Sequence, residues 1–159
     1  MPTKKADITT LARFGDYESF KTKFISDDII KKDEFSTDLL AKAIAGENFE
    51  IALFLIKQGI NVNGINKEGN TVLHLICDYP NIDVAKEILQ SGGDINVRNK
   101  YGNNAMWTAV FNCKGKYYEM VELFMQYNPD TTTKNNASRS PLDFAKQVGD
   151  DKLIEILMK

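Results

Sequence analysis

The chain has 159 residues, 43% hydrophobic and 26% charged, with a formal net charge of −2 at pH 7. That is enough apolar mass for one continuous core, and the interleaved Lys, Arg, Asp and Glu leave no basic stripe for nucleic acid. No apolar run reaches membrane-spanning length, and the opening Met1-Pro2-Thr3-Lys4-Lys5-Ala6-Asp7 leads into amphipathic sequence rather than a signal peptide, so the expectation is a cytoplasmic protein.

Residues 1–32 come first. Phe20 and Phe24 are four apart and share one helix face. The segment reads as a degenerate helix pair capping the N-terminal end. Asp27-Asp28 and Lys31-Lys32-Asp33-Glu34 read as its solvated connection to the rest of the chain.

From there the sequence repeats. Asp38, Thr71, Asn104 and Ser140 are separated by 33, 33 and 36 residues. These are the side-chain types that best accept a hydrogen bond from the free amides at a helix start. Pro141 follows Ser140, where its fixed φ suits the first turn, and Asp143 completes a Ser-x-x-Asp capping pattern.

Each cap is followed by a second apolar set. Ile51, Ala52, Leu55 and Ile56 match Val84, Ala85, Ile88 and Leu89. Those match Met120, Val121, Phe124 and Met125, then Leu153, Ile154, Leu157 and Met158. The spacing puts each quartet on one helical stripe. Gly59, Gly92 and Asn128 end the first three of these helices, where a left-handed residue is needed.

The returns Asn61-Val62-Asn63 and Asp94-Ile95-Asn96 alternate polar and apolar. Asn66-Lys67-Glu68-Gly69 and Asn99-Lys100-Tyr101-Gly102 read as tight turns. A period near 33 residues marks a stacked array. The boundaries are 33–65, 66–98 and 99–134 for three repeats and 135–159 for a truncated capping repeat.

These residues resemble the ankyrin repeat. Asn66-Lys67-Glu68-Gly69-Asn70-Thr71-Val72-Leu73-His74-Leu75 follows its first signature, with valine in place of proline. Gly92-Gly93-Asp94-Ile95-Asn96 follows the second. Ser140-Pro141-Leu142-Asp143-Phe144-Ala145 repeats the first in the last unit, with aspartate in place of histidine. Leu11-Ala12-Arg13-Phe14-Gly15-Asp16-Tyr17-Glu18 resembles one repeat helix ending and the next beginning. The resemblance implies an all-α solenoid of helix-turn-helix units with short, extended, hairpin-like returns.

The third unit departs from this pattern. It holds three extra residues within Asn112-Cys113-Lys114-Gly115-Lys116-Tyr117-Tyr118, and Trp107 stands where the family has histidine. Insertions sit in surface turns, so Cys113 is expected to be exposed. Cys77 falls where the family buries alanine and is expected in the core.

Reactive chemistry is sparse. His74 is the single histidine, and the resemblance gives it a backbone hydrogen bond between neighbouring units. No Cys-x-x-Cys and no Gly-rich phosphate loop is present, so no metal, cofactor or catalytic residue is expected. Asp94-Ile95-Asn96-Val97-Arg98 opens like a calcium loop, but arginine replaces its third ligand. Asp150-Asp151 reads as a helix start.

By the resemblance, function lies on a concave face of turn tips and first helices. The tip positions are Lys67, Glu68, Asn70, Lys100, Tyr101, Asn103, Asn136 and Arg139. The first-helix positions are Asp78, Tyr79, Phe111, Asn112 and Gln147, with Trp107 at the border. Tyr117 and Tyr118 in the insertion form a second candidate contact. Aromatic and arginine side chains dominate interface energies, so the expected partner is a protein.

The repeats fill nearly the whole chain, leaving no room for an effector domain. The expected role is a bacterial binder, monomeric alone, that masks a cognate toxin or enzyme as an immunity-type inhibitor. The alternatives are an adaptor that leaves its partners' activity unchanged and a small hydrolase using Asp78 or Asp143.

Overall fold

The computed structural model describes residues 7–159, so the opening segment read against a signal peptide lies largely outside the described residues. Among the described residues, ten α-helices are arranged in pairs: α1 Ile8–Phe14, α2 Tyr17–Lys23, α3 Leu39–Ala45, α4 Phe49–Lys57, α5 Val72–Leu75, α6 Ile82–Gln90, α7 Ala105–Cys113, α8 Tyr118–Met125, α9 Pro141–Val148 and α10 Asp151–Leu157. A 3-10 turn, Ser26–Ile30, joins the first pair to the rest. Among the described residues the extended returns form no strand, only one isolated bridge between Lys32 and Asp38.

The helices form two layers. In the first row α1 packs on α3, α3 on α5, α5 on α7 and α7 on α9. In the second row α2 packs on α4, α4 on α6, α6 on α8 and α8 on α10. Each pair contacts its neighbours in sequence, as a solenoid requires.

Local chemistry starts these helices where the sequence indicated. Asp38 Oδ1 accepts from the Ala41 N–H at 2.9 Å, and Asn104 Oδ1 accepts from the Trp107 N–H at 2.9 Å. Ser140 Oγ accepts from the Asp143 N–H at 3.0 Å, while Asp143 Oδ2 accepts from the Ser140 N–H at 3.0 Å. At Thr71 the reciprocal partner is an imidazole: the Thr71 N–H donates to His74 Nδ1 at 3.2 Å. The stops are left-handed, with φ of 81° at Gly59, 88° at Gly92 and 50° at Asn128.

The apolar quartets supply the core. Ile51, Ala52, Leu55, Ile56, Val84, Ala85, Ile88 and Leu89 are all buried, as are Met120, Val121, Phe124, Leu153 and Leu157. Met158 is exposed, at the end of the last helix. Cys77 is buried as expected.

Two bonds lock the first pair to the stack. Asn48 Nδ2 donates to the Ala12 and Arg13 carbonyls at 3.2 and 2.8 Å. Gly46 meets the end of α1 so closely that a Cβ there would lie 1.9 Å from the Arg13 carbonyl oxygen.

The insertion departs from expectation in one respect. α7 runs for 9 residues, against 7 for α3, 4 for α5 and 8 for α9. Cys113 is therefore the last residue of a packed helix and is buried, not exposed. Lys114, at φ 49°, turns the chain outward only after it.

Candidate binding surface

The turn tips stack edge to edge through backbone bonds. The Lys67 N–H donates to the Phe35 carbonyl at 3.3 Å, the Lys100 N–H to Glu68 at 2.9 Å, and the Asn136 N–H to Tyr101 at 3.0 Å. Within each turn one side chain carries the bend: Asp33 Oδ1 in the first, accepting from the Phe35 and Thr37 N–H groups, and an asparagine in the others. Asn66 Oδ1 accepts from the Glu68 and Asn70 N–H groups, Asn99 Oδ1 from Tyr101 and Asn103, and Asn135 Oδ1 from Ala137 and Arg139.

The same asparagines reach across units. Asn99 Nδ2 donates to Asn70 Oδ1 at 2.8 Å, and Asn135 Nδ2 donates to Asn103 Oδ1 at 2.7 Å. Asn70 and Asn103 thus spend their amide oxygens on the neighbouring turn. Further back, Asn63 accepts from the Asp94 N–H at 2.7 Å and Asn96 from the Asp130 N–H at 2.7 Å. These ladders make the tips a rigid edge that holds its outward side chains in register.

Those side chains line up along the edge. Lys67 lies over the Phe35 ring at 5.3 Å from its centroid, and Lys100 lies over Tyr101 at 5.0 Å. Lys100 also pairs with Glu68, which accepts from the Tyr101 hydroxyl at 3.4 Å. Lys100 holds the Glu68 carboxyl below its ordinary value, and Glu68 holds the Lys100 amine above its own. Glu68, Lys100 and Tyr101 are therefore one cluster with its charges matched. Arg139 is exposed at the end of the row.

The sequence reading missed Phe35, which is 58% exposed. It stands 33 residues before Glu68, and Glu68 stands 33 before Tyr101. The period that located the caps also locates this residue.

The first helices carry a second group. Asn112 Nδ2 donates to Asp78 Oδ1 at 2.9 Å and to the Cys77 carbonyl at 3.0 Å, tying the second unit to the third. Tyr79 is half-buried against the core. Trp107 stacks on Phe111, with ring centroids 5.4 Å apart and planes 13° apart. Phe144 packs on both, at 5.8 and 5.6 Å. Phe111 is left 49% exposed. The indole Nε1 of Trp107 is buried without a hydrogen-bond partner among the described residues.

The insertion splits its tyrosines. Tyr117 is exposed. Tyr118 opens α8, packs against the core, and donates its hydroxyl to the Asp150 carboxylate at 3.1 Å. Burial, aided by Asp150, pushes the Tyr118 phenol above its ordinary value.

Reactive groups are spoken for. His74 Nε2 lies 3.0 Å from the Asn103 carbonyl and is buried. Burial pushes its imidazole below the usual value and the Cys77 thiol well above it. Asp143 is drawn below the ordinary carboxyl value by its bond from the Ser140 backbone, opposite to what a general acid needs. Burial raises Asp38, but that carboxylate caps α3. The cleft beside Asp38, of about 50 Å³, is far below the size of a small-molecule site. Among the described residues no group of three or more His, Cys, Asp or Glu could hold a metal ion. No helix of the described residues is long and apolar enough to cross a membrane.

A family model of ankyrin repeats in 3 copies matches residues 10–99. An ankyrin repeat-containing protein of Schizosaccharomyces pombe is 36% identical over 87 residues, covering 55% of this chain and 40% of that protein. An ankyrin repeat protein of fowlpox virus is 29% identical over 122 residues, 76% of this chain and 20% of its own length. One from Rickettsia felis is 30% identical over 117 residues, 69% of this chain and 49% of its own length. The chain spans less than half the length of each of these relatives. They come from a yeast, a virus and a bacterium, so the likeness does not single out a bacterial source.

Proposed function

From the premise that this chain belongs to the ankyrin-repeat family, we propose that it binds one protein partner along the tip row, the turn that follows α5, and the exposed residues of α7 and α9. Ankyrin repeats are protein-interaction modules. The choice of face rests on a single observation: the hydrogen-bonded tip ladder holds Phe35, Lys67, Glu68, Lys100 and Tyr101 side by side with their rings and charges outward. A pre-ordered row loses little conformational freedom on binding, so more of its contact energy appears as affinity. Asp78, Phe111 and Arg139 extend the row, and Tyr117 offers a flanking contact. Asn70, Asn103 and Asn112 support it chiefly by holding neighbouring units together.

Within that reading the partner is masked. The row offers rings, an ammonium–carboxylate pair and amides, which suit covering a surface rather than transforming it. An immunity-type inhibitor of a toxin or enzyme would use such a face.

The test has two stages. The purified chain captures its partner from the source cell, and the bound protein is identified. Tyr101→Ala should then weaken the complex by at least about tenfold, the scale of an interface anchor. Unchanged affinity in that variant and in Phe111→Ser would refute the face. The partner's own activity is then measured with and without the chain. Loss of that activity supports masking, whereas unchanged activity assigns an adaptor role.

A further inference from the structure

A groove of about 570 Å³ opens between the α7–α8 turn and the α9–α10 turn. That volume lies within the range of sites that take up a large side chain or a small ligand. Its apolar lining includes Phe111, Phe144 and Val148, of which Phe111 is 49% and Val148 53% exposed. Solvent-facing apolar groups gathered in one concavity mark an interaction site more than scattered ones do.

The walls carry opposite charges. Lys114 stands on the wall made by the third unit, and Asp150 and Asp151 stand on the wall made by the fourth. Asp150 is already engaged, accepting from the Tyr118 hydroxyl at 3.1 Å and the Leu153 N–H at 2.9 Å. Asp151 and Lys114 are exposed, and neither forms an ion pair among the described residues. Lys152 also faces the groove, its ammonium 4.1 Å from the ring centroid of the lining Tyr118, so a cation entering is attracted to Asp151 and repelled by Lys114 and Lys152, which confines it to the Asp151 end.

We propose that this groove receives a protein segment that lays one large apolar side chain on Phe111 and Val148 and sets a neighbouring Lys or Arg against Asp151. The inference rests on the protein-binding reading above and names the chemistry of one of its contacts. An acidic residue on the other side of the apolar one would meet Lys114. The segment that holds the three-residue insertion forms the rim of the third-unit wall, with Lys114 and Gly115 directly after the end of α7 at Cys113.

The test uses the full chain and a phage library of random dodecapeptides. Enriched peptides are synthesised and titrated while the emission of Trp107 is followed. Trp107 is the single tryptophan of the chain and stacks on Phe111, so occupancy of the groove should alter its emission. Peptides with a large apolar residue and a Lys or Arg within about three positions should be enriched. They should bind Phe111→Ser and Asp151→Lys at least about tenfold more weakly. Val148→Ser provides a second apolar variant, and circular dichroism checks that each variant is folded. Absence of enrichment, enriched peptides without a cation, or binding unaffected by the three substitutions each overturns the inference. Peptides that tolerate these changes but are lost with Tyr101→Ala overturn the groove alone and leave the protein-binding reading standing. Peptides that are lost with the groove variants while the cellular partner is unaffected by any face variant would do the reverse.

Discussion

The imidazole Nε2 of His74 lies 3.0 Å from the backbone carbonyl of Asn103, one unit further along the stack. A carbonyl can only accept, so Nε2 carries the proton. Nδ1 is then free to accept, and it receives the Thr71 N–H at 3.2 Å with the Thr71 hydroxyl at 3.0 Å. One neutral ring therefore caps α5 and ties the second unit to the third.

Protonation would put a second N–H where Nδ1 must accept, and burial already holds the His74 pKa below its ordinary 6.5. A depressed histidine pKa means the unfolded chain binds more protons, so stability rises with pH. The contribution is fully present above pH 6.5 and is lost as pH falls through the lower folded-state value. Urea unfolding between pH 7.5 and 5 should show this slope, at most about 1.4 kcal/mol per pH unit for one proton. His74→Gln should be less stable at neutral pH and should flatten that part of the profile. An unchanged profile would show that another group carries it.

Core and face should separate cleanly. Leu73 is fully buried and Tyr101 is 54% exposed. Leu73→Ala should destabilise by about 2–5 kcal/mol. Tyr101→Ala should stay within about 0.5 kcal/mol of the parent, as surface changes do. Thermal melts of both variants decide the matter, and similar losses in the two would contradict the assignment of Tyr101 to the face.

The first helix pair should detach as a unit. In Gly46→Ala the new Cβ would meet the Arg13 carbonyl oxygen at 1.9 Å, which only movement of α1 can relieve. Trypsin should then cut after Arg13 while the later units stay resistant. Gly59→Ala is the contrast. Nothing lies within 4 Å of its Cβ, so its penalty is the left-handed backbone alone, about 1–2 kcal/mol, with no new cleavage.

Both thiols should be silent in the folded chain. Cys77 and Cys113 are buried, and burial raises both thiol pKa values, so little thiolate is available. A colorimetric thiol reagent should react with neither at pH 7.5 and with both in denaturant. Rapid labelling of Cys113 in the folded protein would mean that α7 ends before it.

What the sequence determined by itself is the part governed by short-range physics. A cap bonds an amide three residues away, a left-handed stop depends on its own Cβ, and a helical stripe repeats every few residues. Asp38, Asn104, Ser140, Gly59 and the buried quartets were therefore legible from the residues alone, and their 33-residue step implied the solenoid. The tertiary structure decided everything that depends on partners about 30 residues away. Asn48 holds the end of α1, Asn112 bridges to Asp78, and Tyr118 meets Asp150 across units. The burial of Cys113 belongs here too, because it is the packing of the end of α7 into the core that buries it. So does the proposed face: the period places Phe35, Lys67 and Tyr101 at tips, but only hydrogen bonds between successive turns bring those tips into one row, because a single unit has no neighbour to stack against.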